Sequence, residues 1–235
     1  MKRNLKVRIP VYILGLLLMT FGIALSSRAG IGVAPISTIA FAGSQLTPLT
    51  FGMCSSAFHG LCFAAQLILT RKLTVITLLQ IPAVYVFGLL IDLFVSLLQF
   101  PAPPLILAVP LMVVSILIFS LGIRIIIGSD LVLPPPDSLV VLIGEIAGWP
   151  MSKAKLIFDV AVVSLSASLT LIVLGDALLA IGIGTIICVL MTGPSIGFYQ
   201  KILPIFNISD GAVDDSANEA PDAPADDTAD DVTAE

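Results

Sequence analysis

Six stretches of this chain, at about 10–27, 51–70, 75–98, 105–127, 153–174 and 177–200, are apolar and nearly free of charge. Each is close to the ~20 residues that a helix needs to cross a hydrocarbon core about 30 Å thick. A soluble domain carries about 25% charged residues; here they make up 11%, against 57% hydrophobic. Mean hydropathy is +1.09. Packed only on itself, such a chain would leave apolar surface in water, so the bilayer is its natural solvent and its first partner. Only structures that satisfy their own backbone groups survive there. The expected fold is therefore an all-α polytopic membrane protein with about six transmembrane helices.

Charge divides the chain. All 11 Lys and Arg lie at or before Lys201, while ten of the 16 acids lie between Asp210 and Glu235. The part up to residue 206 thus carries 11 basic and six acidic side chains, a net of +5. The expected organisation is a basic cytoplasmic N-terminus at 1–9, a first membrane repeat at 10–100, a second at 101–206 and an acidic tail at 207–235. The tail is rich in Asp, Ala and Thr and is read as disordered and cytoplasmic, because it has too little apolar area to offset the cost of ordering. The basic residues before the first apolar run resemble a signal peptide, but the run is long and a related segment recurs mid-chain, so it is read as an uncleaved span. Cys54, Cys62 and Cys188 all fall inside apolar runs without a CxxC pair, which reads as buried reduced thiols.

That recurrence is an internal repeat. Residues 20–38, TFGIALSSRAGIGVAPIST, align without gaps on residues 120–138, SLGIRIIIGSDLVLPPPDS. Gly22-Ile23 falls on Gly122-Ile123, Thr20 on Ser120, Pro35 on Pro135 and Thr38 on Ser138. Pro48-Leu49-Thr50 then resembles Pro150-Met151-Ser152. Each half has three long apolar stretches and a short one, at about 33–45 and 136–147. The short ones have the length of re-entrant segments. If they enter and leave on one side, Lys2, Arg3, Lys6, Arg8, Arg71, Lys72, Lys153, Lys155 and Lys201 all face the cytoplasm and only Arg28 lies outside. This satisfies the positive-inside rule; letting the short stretches span would turn Arg71 and Lys72 outward. Three spans per half make the two repeats inverted.

Before each short stretch lies a helix-hostile linker, SRAGIGVAP or GSDLVLPPP. About seven extended residues reach ~20 Å, and a nine-residue helix returns ~14 Å. Pro35 and Pro136 suit a first helical turn, and Ser37, Asp137 and Ser138 suit capping. The expectation is two half-helices whose N-termini meet near the membrane centre and form a polar site; the alternative is surface loops followed by oblique helices.

Ionisable groups inside a bilayer are costly and so are candidates for function. The candidate substrate-binding set is His59, Asp92, Asp137 and Asp159 with Ser37, Thr38 and Ser138. His59 suits a proton relay or ligand contact, or else a neutral imidazole bonded to a neighbouring helix. Asp159 is available to a substrate, or pairs with Lys155 one turn away. Asp92 lies near the outer end of its stretch, and Asp137 first suits a cap. Arg124 is expected to neutralise Asp130 or Asp137, or to snorkel to the surface. Glu145 and Asp176 read as structural. Cys54, His59 and Cys62 do not share one helical face and lack a fourth ligand, so no metal or other cofactor is expected. Gly193 and Gly197 have the spacing of a helix-packing motif. The sequon at Asn207 is expected on the cytoplasmic side, where it has no use.

The duplicated Gly- and Pro-bearing linkers, Phe158-Asp159, the run from Gly182 to Thr185, and Gly193-Pro194 resemble the YczE/YyaS/YitT family of bacterial membrane proteins. The resemblance covers about residues 8–205. It implies a bacterial cytoplasmic membrane and five or six spans, and it brings no activity and no site residue. Two functional readings stand side by side: a transporter or permease for a small solute, and a non-transporting module or substrate-binding subunit that works with partners. Whether the partner is a second copy or another membrane protein is left open. Nothing suggests nucleic-acid binding, and no nucleophile–base pair or metal set suggests an enzyme.

Overall fold

The computed structural model describes residues 5–72, 74–149, 151–174 and 181–203; the acidic tail, Asp176 and Asn207 lie outside these. Among the described residues there are helices and linkers and no strand. In chain order they are α1 (Leu5–Ala29), a 3₁₀ turn (Pro35–Ser37), α2 (Thr38–Leu46), α3 (Phe51–Thr70), α4 (Val75–Leu97), α5 (Leu105–Ser129), α6 (Pro135–Ala147), α7 (Met151–Leu174) and α8 (Ile183–Ile202). The first helix takes in residues 5–9 of the expected N-terminal extension. Five helices, α1, α3, α4, α5 and α7, are long and apolar enough to cross a membrane. The sixth expected span, α8, has a shorter apolar part, Ile183–Tyr199. Large apolar side chains such as Ile106, Ile172 and Leu61 stand at least 70% exposed. In water they would form an aggregation surface; in a bilayer they meet acyl chains. The chain is a polytopic helical membrane protein.

Lipid is as apolar as leucine, so helices in it associate by close approach rather than by the hydrophobic effect. Two glycine contacts supply that approach. Gly15 lies against Gly122 and Ile126, and Gly22 lies against Ser115 and Phe119, so α1 and α5 pack antiparallel with their backbones nearly touching. On the other seam Gly52 of α3 sits on the Gly88 carbonyl of α4. One turn along, Ser56 donates to the Val84 carbonyl at 3.1 Å. Three of the helix pairings recur in both halves. α1 packs on α4 as α5 packs on α8, α2 on α3 as α6 on α7, and α3 on α6 as α7 on α2. Among the described residues, the α3–α4 seam has no counterpart of like extent between α7 and α8.

The linkers are shorter than expected. α1 runs through Ser26–Ala29 and α5 through Ser129, leaving five residues before each short segment. Five residues reach at most ~17 Å. Gly30 and Asp130, which the repeat equates, both turn the chain with left-handed backbone, φ 69° and 48°. The expected caps at Ser37, Asp137 and Ser138 are not made: neither short helix has a side-chain cap. Proline explains this, because Pro35 and the Pro135-Pro136 pair present no N–H that needs one.

The first short segment returns to the end it came from. Arg28, on the last turn of α1, donates to the Val95 carbonyl at 2.7 Å. Asp92 accepts from Gly52 N at 2.7 Å, at the start of α3. Val95 and Asp92 are neighbours near the C-terminus of α4, so α1 ends where α3 begins. α2, nine residues or about 14 Å long, does not span.

Candidate functional site

Three charged side chains meet at the first turn of α6. Lys155 Nζ lies 3.0 Å from Asp159 Oδ1, one turn on along α7, and 3.6 Å from Asp137 Oδ1 on α6. Asp137 and Asp159 are each less than one-fifth exposed. The hairpin of α6 and α7 makes this meeting possible, with Gly144 packed against Ala154 where the two helices approach. Asp137 also stands where the α6 dipole favours a negative charge. Two carboxylates on one ammonium leave a net charge of −1. The pairing alternative for Asp159 is the one realised, and Asp137 joins it rather than capping α6.

The other side of the same turn is neutral and polar. Gln80 of α4 is 2% exposed. Its Nε2 donates to the Leu133 carbonyl at 3.2 Å and to Ser138 Oγ at 3.1 Å. Its Oε1 is buried and has no hydrogen-bond partner. Ser138 thereby becomes an anchor between α4 and the linker. His59 is buried and stacks on Phe87, with ring centroids 4.6 Å apart. The two rings line a small cleft with Tyr12, Val84, Leu133 and Pro134. Cys62, three residues after His59 on α3, is buried as well.

The structure does not gather the remaining candidates here. Ser37 and Thr38 belong to the other short segment, which packs on α7; Thr38 is fully buried and donates to the Pro35 carbonyl at 2.7 Å. Asp92 accepts from Thr50 Oγ1 at 2.5 Å and from Gly52 N, so it fastens the N-terminus of α3 to α4. Nor do the two linkers share one chamber. Leu133–Pro135 line the His59 cleft, whereas Ala34 lines a second cleft with Ile23, Ser26, Ser115 and Cys188.

Arg124 departs from expectation. It is 4% exposed and donates to the Leu203 carbonyl at 3.3 Å, while Asp130 pairs with Arg8 and Asp137 with Lys155. Arg28 on Val95 and Arg124 on Leu203 are matching ties: in each half an arginine late in the first helix holds the C-terminus of the fourth. Gly193 and Gly197 face open space and pack on nothing within the described chain. No group of three His, Cys, Asp or Glu suited to a metal ion occurs among the described residues.

Sequence reasoning missed Gln80 and the Gly52–Gly88 contact. Gln80 is the lone amide in the apolar run of α4, a visible signal. Gly52, Ser56 and Gly60 are small residues at four-residue spacing, the pattern of a close helix seam.

A family model of unknown function, DUF6198, matches residues 6–201, which takes in the whole helical bundle. The protein belongs to the DUF6198 family. No curated protein and no solved structure matches the chain. In this DUF6198 member the match includes α6, α7 and the charge cluster between them, and stops short of the acidic tail.

Proposed function

We propose that this DUF6198 protein is a membrane transporter or permease for a small solute. One observation carries the reading: the Asp137–Lys155–Asp159 cluster sits at the first turn of a short helix inside a largely apolar bundle. Charge in that setting is costly, and interrupted helices at such depth are tolerated where they line a cavity. The antiparallel α1–α5 pair and the matching packing of the two halves support an inverted repeat. Such repeats suit alternating access, because one half rocks against the other.

In this reading the protein lies in a cell membrane with both termini cytoplasmic. Arg8, Arg71 and Lys153 then face the cytoplasm, and Lys153 lies over the Trp149 ring at 4.8 Å, a pairing suited to the headgroup level. A single cysteine at Ser44, in a chain whose three native cysteines are replaced, tests this. An impermeant maleimide is expected to label it from outside the cell. Labelling only from inverted vesicles would reverse the orientation.

The function itself is tested by uptake into proteoliposomes, with a radiolabelled panel of small amines, amino acids and organic cations. Uptake of at least one solute is expected. His59→Ala and Asp159→Asn are expected to reduce it tenfold or more while remaining monodisperse. Asp92→Asn is expected to retain it in whatever protein folds. No uptake of any panel member, or full uptake by both variants, would leave the second reading, a binding module that needs partners.

A further inference from the structure

We propose that Cys188 and Met112, with Ser115 beside them, form a binding site for a soft monovalent metal ion of the Cu(I) kind. The residues lie on α5 and α8, not on the helices of the charge cluster, and the site stands independently of the transport reading.

Cys188 of α8 directs its thiol to Met112 Sδ of α5 at 3.7 Å. Ser115, one turn along α5 from Met112, has its hydroxyl oxygen 3.6 Å from the same sulfur. Each of the three residues is no more than 1% exposed. Cys188 and Ser115 both line a cavity with room for about one water molecule. The thioether that touches them both therefore stands at its edge. Ser26 and Thr192 bring further hydroxyls to the wall, and no charged side chain lines it. Ser26 and Ser115 donate to the carbonyls of Ile23 and Met112 at 2.8 and 2.7 Å. With their protons so engaged, these hydroxyls offer a guest lone pairs, which suits a cation. Met191, one turn along α8 from Cys188, packs on the same core group and adds a third sulfur there.

The ligand chemistry selects the ion. Thiolate and thioether are soft ligands that favour Cu(I) over harder ions. A metal–sulfur bond is about 2.3 Å long, so two sulfurs 3.7 Å apart subtend about 107° at one ion, close to the tetrahedral value. The separation already present is the one such an ion needs. Charge points the same way. Binding breaks the S–H bond, forms an S–metal bond and releases H⁺ to the medium. Exchange of one proton for a monovalent ion keeps the buried site neutral, whereas a divalent ion would leave a net positive charge in an apolar slab. Zn(II) also calls for His, Cys or carboxylate groups in threes or fours, and the described residues gather none.

The test uses the full chain in detergent with Cys54 and Cys62 replaced by alanine, which leaves Cys188 as its one cysteine. Cu(I) is added in the absence of oxygen and titrated against a chromophoric Cu(I) chelator. About one equivalent is expected to stay bound, with release of about one proton. X-ray absorption is expected to show at least two sulfur neighbours at about 2.3 Å. Zn(II) is expected to stay free under the same conditions. Met112→Leu, a swap that nearly conserves volume, is expected to weaken Cu(I) binding at least tenfold and to remove a sulfur neighbour. Cys188→Ala is expected to abolish binding. Loss of all Cu(I) to the chelator would overturn the proposal, as would retention of Zn(II) as tight as that of Cu(I). A single sulfur neighbour, or unchanged affinity in Met112→Leu, would also overturn it, since either describes a lone thiol in a packed core. The affinity and sulfur count before Met112 or Cys188 is changed decide by themselves if either variant fails to fold.

Discussion

Gly52→Val is expected to unfasten α3 from α4 and to abolish most of the folded protein. A Cβ at Gly52 would overlap the Gly88 carbonyl oxygen and lie 2.6 Å from Asp92 Cγ. Neither neighbour can yield cheaply. The first is helix backbone, and the second is held by Thr50 Oγ1 and Gly52 N. Separating the helices enough to admit the side chain would break both bonds and the Ser56–Val84 bond one turn away. Overpacking of this kind costs about 3 kcal/mol or more, a large share of the stability of a membrane bundle held by close contacts. Gly60→Ala on the same helix is the control. A Cβ there meets nothing within 4 Å, so its effect is expected to stay within about 0.5 kcal/mol. Denaturant titration in mixed micelles, followed by tryptophan emission and size-exclusion profile, measures both. Equal midpoints for the two variants would refute the close-contact account of this seam.

Lys155→Met is expected to be the most damaging change that leaves every backbone contact in place. It strips the counter-charge from two carboxylates at once, and Asp137 and Asp159 then repel each other in a poorly hydrated site. Removing one partner of a fully buried pair costs about 3–5 kcal/mol. Lys155 keeps about a third of its side-chain exposure, at 33%, which screens part of that. A loss of about 2 kcal/mol is the expected size. Lys155→Arg keeps the charge and is expected to retain most of the stability. Adding Asp159→Asn to Lys155→Met is expected to recover at least half of the loss, since one repelling charge is gone. The same denaturant titration reads all three. No recovery in the double variant would mean that Lys155 acts by packing rather than charge.

How much of this was legible in the chain differs from residue to residue. The short segments were legible because their length is a local property. The reading of 33–45 and 136–147 meets a 3₁₀ turn with α2, and then α6, nearly residue for residue. The Lys155–Asp159 pair was legible because four residues is one helical turn. Asp137 as the third member was not, since it depends on the angle at which α6 folds back on α7. Asp92 reads as a binding candidate from its intramembrane charge alone. Its actual duty, accepting from the first turn of α3, appears only when α3 and α4 are paired. The linkers were overestimated for a related reason: Ser27 and Gly128-Ser129 have weak helix preference, but buried contacts between α1 and α5 keep both helices going to Ala29 and Ser129.

By itself, the sequence determined the solvent and the helical secondary structure. Those follow from hydropathy summed along the chain and from the rule that a backbone in lipid must satisfy its own hydrogen bonds. It also exposed the duplication, through residues such as Gly22 and Gly122 that later prove to lie on the α1–α5 seam. Only the tertiary structure decided which charges meet, that the two linkers line separate clefts, and that Gln80 reaches the first turn of α6. Those depend on how each helix is rotated and crossed against its neighbours. Side-chain packing sets that rotation across positions tens of residues apart, and no local pattern records it.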